Sequence, residues 1–412
     1  MEILYSCCCG LDVHAKTVVA CLINHGKKQT RTYTTMTADL LRLLDWLVTE
    51  GCTHAAIEST GVYWKPVFNI LESAVEVVLV NARHLKTVPG RKTDVKDCEW
   101  IADCLRFGLL RPSFIPPRHI RDLRELTRYR YTLVKERGAL ANRIQKLAES
   151  ANIKLSQVAS DALGQSGRAM LDALARGETD VVKMSEFARK RLRDKIPQLR
   201  LALEGKLTEA QRWVLAELLA RYDEVEAAIA KVERKIDEEV EESSDPFVAE
   251  AVELLDSIHG IGKTVAQTVI AEIGVDMQRF PSAKHLASWA GACPGNNESA
   301  GKRKSGRTTK GSKYLRVALV QAAWAASHKK ESYLSAQYRR LVRRMGKKKA
   351  LVAVGHSILV IVYCVLSRRE SYRDLGGDYF DKRNMEGQRK RLIRQLESLG
   401  LRVTVEAIGE AA

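Results

Sequence analysis

Two stretches of the chain repeat their apolar residues at spacings of three, four or seven: Leu126, Leu133, Leu140, Ile144 and Leu147, then Val225, Ile229, Val232, Ile236 and Val240, with charged residues filling the gaps. A strand alternates every second residue, so this pattern demands two long amphipathic helices whose stripes are buried against a partner. That partner is either the other stripe, in an antiparallel hairpin, or a second chain. At 412 residues the chain is long enough for two or three units, given roughly 100–200 residues per domain. Residues 151–206 carry Gly164, Gly167, Gly177 and Gly205 among shorter helical patches and read only as broken helix.

Before the helices the pattern is different. YSCCCGLD is an apolar run ending at Asp12, and TVVACLI at 17–23 and KQTRTYTT at 28–35 are joined by the turn NHG. ADLLRLLDWLVTEG then predicts a helix with a glycine stop, HAAIEST a strand, Val62 to Glu72 a helix, and VEVVLV an apolar strand. A hairpin followed by alternating strands and helices gives an α/β unit, a mixed sheet covered by helices. The first strand ends in LDVHAKT with no glycine-rich turn, which excludes a dinucleotide-binding order.

Asp12 and Glu58 each end a buried strand, a costly place for a carboxylate unless something positive neutralises it. Asp94 and Asp97, three apart in RKTDVKDCEWIADCLRFG, share one helix face. Singly, each has an ordinary explanation as a turn or cap residue. Together, four carboxylates from three elements would repel at one sheet edge, and a hard divalent cation relieves that repulsion. Magnesium (Mg2+), with manganese (Mn2+) as the alternative, would polarise a phosphodiester for in-line attack. His14, two positions past Asp12, suits either a phosphate contact or a structural role. Lys92 and Lys96 flank the acidic pair, and Trp100 reads as core.

Charge is concentrated late in the chain. Residues 1–119 hold 14 basic and 12 acidic side chains, whereas 299–349 hold 16 basic and one acidic, so most of the overall +17 occupies a short segment. A solubilising surface would mix both signs, so this segment favours a polyanionic partner. GKRKSGRTTKGSKYLR at 301–316 supplies Lys302, Arg303, Lys304, Arg307 and Lys310 for phosphates from an irregular segment running from Gly291 to Gly311, and Lys313 and Arg316 from where a helix then begins. Upstream, LLDSIHGIGKTVAQTVIAEIG predicts a helix-hairpin-helix with its turn at HGIG. It is no phosphate-binding loop of the nucleotide type, because Ser257 stands where the first glycine is required. Ser299 and Ser305 lie beside the densest cations, where metal and arginines could make a hydroxyl competent as a nucleophile.

Nine cysteines, three of them consecutive, form no spaced framework for disulfides or thiol-held metal, which points to a reducing cytoplasm. The start of the chain lacks signal-peptide character. The run AVGHSILVIVYCVL is short for a membrane span and carries a histidine, so no membrane partner is expected.

Five pieces in order resemble the DEDD-type transposases of bacterial insertion sequences, whose members are bridge-RNA-guided recombinases: GLDVHAKT at 10–17, AIESTG at 56–61, KTDVKDCEWIADCL at 92–105, the helix-hairpin-helix, and RFPSAKHLASWAGACPGNNESAGKRKSGRTTKG with YLRVALVQAA. The likeness spans essentially the whole chain. It implies a RuvC-like (RNase H-like) nuclease domain at 1–119, a helical coiled-coil assembly region at 120–248, and a mainly helical transposase domain at 249–412. By position it makes Asp12, Glu58, Asp94 and Asp97 a metal-binding tetrad and Ser299 a nucleophile that joins covalently to DNA. Many members read Ser-Ser-Gly-Gly where this chain reads Glu298, Ser299, Ala300, Gly301, which leaves Ser305 as the alternative. The implied partners are double-stranded donor and target DNA, a structured guide RNA, and further copies of the chain as a dimer or a tetramer on DNA, in a bacterial cytoplasm at the nucleoid.

Two other functions fit part of the pattern. A RuvC-like junction nuclease that activates water explains the carboxylates but leaves the second half idle. A non-catalytic nucleic-acid-binding assembly protein explains the basic segment and long helices but not the intact carboxylates.

Overall fold

A computed structural model describes residues 2–59, 61–81, 85, 97–294, 297–299, 302–305, 308, 311–383 and 385–404, with the backbone alone for 297–299, 302–305, 386 and 388. The chain divides into two compact units, Met1–Ile115 and Pro116–Ala412.

The first unit runs β1 (Cys7–Val13), β2 (Thr17–Asn24), β3 (Lys27–Thr34), α1 (Thr37–Thr49), β4 (His54–Glu58), α2 (Trp64–Leu71), β5 (Glu76–Val80) and α3 (Asp97–Arg106). The sheet order is β3-β2-β1-β4-β5. The first three strands pair antiparallel, and β1, β4 and β5 pair parallel, so the sheet is mixed as the alternation of elements predicts. The β2–β3 turn places His25 at φ 45° and Gly26 at φ 89°, the left-handed backbone that lets a tight connection follow the strand twist. Alternate residues of β1 serve opposite faces. Cys7, Cys9, Leu11 and Val13 pack with Leu43 and Leu47 of α1 and Val67 and Leu71 of α2. Cys8 joins Ala56, Val80, Ile101, Ala102 and Leu105 on the other face, under α3. The three consecutive cysteines are therefore core residues, and all nine thiols are free.

The second unit opens with α4 (Arg118–Ser150). Four short helices follow, α5 (Leu155–Val158), α6 (Gln165–Ala175), α7 (Val181–Ser185) and α8 (Ile196–Ala202), and then α9 (Glu209–Glu241). The two long stripes meet each other within the chain: Leu133 and Leu140 pack on Val225 and Ile229. Arg130 pairs with Glu233 at 2.8 Å and Arg137 with Glu226 at 2.6 Å, so partners on α9 run backwards as those on α4 run forwards, and the pair is antiparallel. The short helices close a separate core around Met170, Leu171 and Leu199 at the far end of the pair.

After it come α10 (Phe247–Asp256), α11 (Lys263–Ile273), α12 (Ala283–Trp289), the strands β6 (Asn297–Ser299) and β7 (Lys302–Ser305), α13 (Lys313–His328), α14 (Tyr333–Met345), α15 (Lys347–Arg368), α16 (Tyr379–Arg383) and α17 (Met385–Ser398). The apolar run at 353–366 lies inside α15, a 22-residue helix long and apolar enough to cross a membrane. The run alone is short for a span; the polar first turn Lys347–Lys349 gives the helix extra length. In the fold, α15 is the helix against which α10, α12, α13 and α14 pack.

Candidate active site

Strand register brings two of the four predicted carboxylates side by side. β1 and β4 pair in parallel through Gly10 with Ala56 and Leu11 with Ile57, so the next residues, Asp12 and Glu58, end neighbouring strands at the same edge. Their cross-strand neighbours on the far sides, Val19 and Val80, belong to the core face under α3. Asp12 and Glu58 thus lie on the face that α3 covers.

α3 is held there by close backbone contact. Cys98, Ile101, Ala102 and Leu105 recur at three and four and are buried, the stripe expected of a helix on a sheet. A Cβ on Gly10 would stand 2.1 Å from the Cys98 carbonyl oxygen and 2.4 Å from the Ala102 nitrogen, so only glycine lets this helix approach. Burial pushes the Cys98 thiol up to about 11, with further contributions from Cys21, Glu99 and Asp12; Asp12 therefore acts near the first turn of α3. Asp97 begins that helix, where the macrodipole favours negative charge. His14 places its Nε2 3.2 Å from Asp12 Oδ2. Trp100 is half-buried against the α3-side core.

Asp94, Lys92 and Lys96 lie outside the described residues. Among the described residues no three His, Cys, Asp or Glu side chains stand close enough together to hold a metal ion. Asp12 and Glu58 share an edge and a face, and Asp97 opens the helix that covers that face, without forming a finished coordination shell. The donors available at that edge are carboxylate oxygens, which suit a hard cation such as magnesium.

In the second unit the helix-hairpin-helix forms as the sequence predicts, from α10 through the turn to α11, which stops at Gly274 with φ 72°. Gly260 has φ 92°, and a Cβ there would stand 2.2 Å from the Ala322 carbonyl oxygen of α13; conformation and close approach both require glycine. Leu255, Ile258 and Ile270 are fully buried in it. Lys263, which opens α11, is paired with Asp237 of α9 at 2.9 Å.

The segment from Gly291 to Gly311 is not irregular throughout. β6 and β7 form an antiparallel hairpin, pairing Ser299 with Lys302, Glu298 with Arg303 and Asn297 with Ser305, and Pro294 bridges to Thr308. These strands carry no apolar alternation, the signal from which strands are read. Ser299 lies at the turn end of the hairpin and Ser305 at its base, about 10 Å apart along the strand at about 3.3 Å per residue. Lys302, Arg303 and Lys304 are on β7, while Arg307 and Lys310 lie outside the described residues. Lys313 reaches over the Tyr314 ring at 4.8 Å, and Arg316 donates to the Gly291 carbonyl at 3.4 Å.

A network that sequence reading missed anchors the helix leaving this hairpin. Glu272, 1% exposed, accepts two hydrogen bonds from Arg128 at 2.8 and 3.0 Å and one from the Ser312 hydroxyl at 2.9 Å. Ser312 in turn caps α13 by accepting from the Leu315 N–H. Burial alone would lower Arg128; hydrogen bonding to Glu272 outweighs it and raises that guanidinium above its usual range. Arg124 donates to the carbonyls of Ala271 and Glu272 at 2.8 and 2.7 Å. The available signal was a glutamate on the apolar side of α11, facing an arginine-rich first turn of the long stripe.

Comparison with known proteins agrees with both halves. Residues 9–153 match the family model DEDD_Tnp_IS110, described as Transposase, and residues 252–339 match Transposase_20, described as Transposase IS116/IS110/IS902 family. The transposase for insertion sequence element IS1111A of Coxiella burnetii is 24% identical over 376 residues, covering 89% of this chain and 87% of that protein. The pilin gene-inverting proteins of Moraxella bovis and Moraxella lacunata are each 24% identical over 384 residues, covering 88% of this chain and 96% of theirs. The chain belongs to the IS110/IS1111 family of insertion-sequence transposases, enzymes that act on DNA.

Proposed function

We propose that this transposase cuts and rejoins DNA through a RuvC-like carboxylate site and a serine nucleophile, with a structured RNA helping to choose donor and target. The observation that carries the metal half is the convergence of Asp12 and Glu58 on one sheet edge, beneath the helix that Asp97 begins. Asp12, Glu58, Asp94 and Asp97 would hold magnesium, or manganese in its place, which would draw charge from the phosphate oxygens and lower the barrier to attack at phosphorus. His14, paired with Asp12, keeps that carboxylate oriented. Ser299 Oγ forms a bond to phosphorus as the bond to the neighbouring sugar oxygen breaks, and the serine proton ends on the departing oxygen. The phosphoserine link conserves the phosphodiester bond energy, so the reverse attack by a sugar hydroxyl rejoins strands without an outside energy source. The basic hairpin and the residues after it, Lys302 to Arg316, position the phosphates.

On this proposal the parts are a nuclease region at 1–119, the long helix pair and its lobe at 120–248, and a serine-bearing region at 249–412. The protein works as a dimer or tetramer on DNA in the bacterial cytoplasm, at the nucleoid. Asp12→Asn or Asp97→Asn is expected to abolish strand cleavage in magnesium while leaving DNA affinity within a few-fold. Full cleavage by either variant would remove the carboxylates from the mechanism.

A further inference from the structure

Residues 332–349 contain seven basic side chains and no acidic one. On α14, Arg339 and Arg343 stand one turn apart, with Arg340 beside them, and all three are exposed. The chain then returns: Phe380 and Asp381 of α16 and Arg391 of α17 line a groove against the same face of α14, with a volume of about 680 Å³. Clefts of about 300–1,000 Å³ are the usual size of ligand-binding sites.

The groove is organised by aromatic rings. Tyr333 stacks on Phe380 with ring centroids 5.2 Å apart and planes 18° from parallel. The Arg340 guanidinium lies over the Phe380 ring at 5.4 Å, a cation–π contact that fixes its plane. Among the described residues none of Arg339, Arg340, Arg343 and Arg391 forms an ion pair. Among the described residues, four guanidinium groups and one carboxylate, Asp381, therefore line a concave surface built from three helices. Planar guanidinium forks match phosphate oxygens two at a time, which suits a phosphodiester backbone.

We propose that this groove is a second nucleic-acid site, separate from the basic hairpin, that grips the phosphodiester backbone of a polynucleotide strand with Arg339, Arg343 and Arg391, while the Tyr333–Phe380 stack holds Arg340 in register. DNA and RNA strands share this backbone. The proposal rests on the family's action on nucleic acid and not on the serine chemistry, so it is tested by binding alone, without cleavage.

The experiment is a salt titration of the full chain by fluorescence anisotropy, with labelled oligo(dT), oligo(U) and a mixed-sequence DNA duplex as separate probes. The triple variant R339Q/R343Q/R391Q is expected to lower the slope of log affinity against log salt by about 2 on a single strand, or by nearly 3 on the duplex. The probe that shows the loss identifies the occupant. Phe380→Leu is expected to weaken the same probe several-fold by freeing Arg340, and Phe380→Tyr to bind as the wild type does. An unchanged slope on all three probes would overturn the site. Normal binding by Phe380→Leu alongside a loss in the triple variant would also overturn it, by reducing the groove to a diffuse basic surface.

Discussion

Gly10 of β1 lies against Cys98 of α3 so closely that a single added methyl group would stand 2.1 Å from the Cys98 carbonyl oxygen. The contact is backbone against backbone, so no side chain can yield. Gly10→Ala should push α3 off the sheet, cost about 1–3 kcal/mol as an overpacking change, and carry Asp97 away from Asp12 and Glu58 with loss of cleavage. Gly138, exposed on α4 with nothing within 4 Å of its Cβ position, is the control: Gly138→Ala should stabilise the protein by about 0.5–1 kcal/mol. Urea unfolding of both variants checks this, and a Gly10→Ala protein as stable and active as the wild type would contradict the packing.

The buried carboxylate of Glu272 makes a second case. Arg128→Ala leaves that charge at 1% exposure without its two-pronged partner, a change that typically costs about 3–5 kcal/mol. Replacing both partners together by apolar residues should recover much of the loss, because the desolvated charge disappears with its partner. A double-mutant cycle followed by urea unfolding measures the coupling; independent, additive losses would show that the pair does not act as a unit.

Seven of the nine thiols are buried, all in the first unit, while Cys293 and Cys364 are half-buried. Burial pushes Cys8 and Cys52 up to about 12 and Cys98 and Cys104 to about 11, above the ordinary thiol value of 9.0. Because the folded-state pKa is raised, the unfolded chain releases these protons first. The stabilisation is fully present below pH 9 and is lost as pH rises from about 9 towards 11–12. The urea midpoint of the first unit should therefore fall between pH 8 and pH 11, and fall less in a Cys98→Ala/Cys104→Ala variant. At pH 8 a thiol reagent should label Cys293 and Cys364 well before the other cysteines.

Much of the first unit was legible in the sequence because its strands alternate with helices and its turn, NHG, announces the hairpin. That Asp12 neighbours Glu58 was not, since parallel register is fixed by tertiary packing and a slip of one residue would turn either side chain to the other face. The stripes through Leu140 and Ile229 are legible as helical from their spacing, but only the fold shows that each is the other's partner. The hairpin bearing Ser299 escaped because its strands are short and charged, without the period of two that betrays a half-buried strand. The arginine groove escaped for another reason: Arg391 comes to Arg339 and Arg343 only because the chain after α15 folds back.

The most direct test of the serine mechanism is to quench a cleavage reaction on labelled DNA with denaturant, digest the protein, and map the phosphate-linked peptide by mass spectrometry. The expected adduct is on Ser299, at the turn end of the hairpin opposite Lys302. Ser299→Ala should bind DNA yet form no adduct and no recombinant, while Ser305→Ala should form both. An adduct on Ser305, cleavage with no protein-linked strand, or normal recombination by Ser299→Ala would contradict the account.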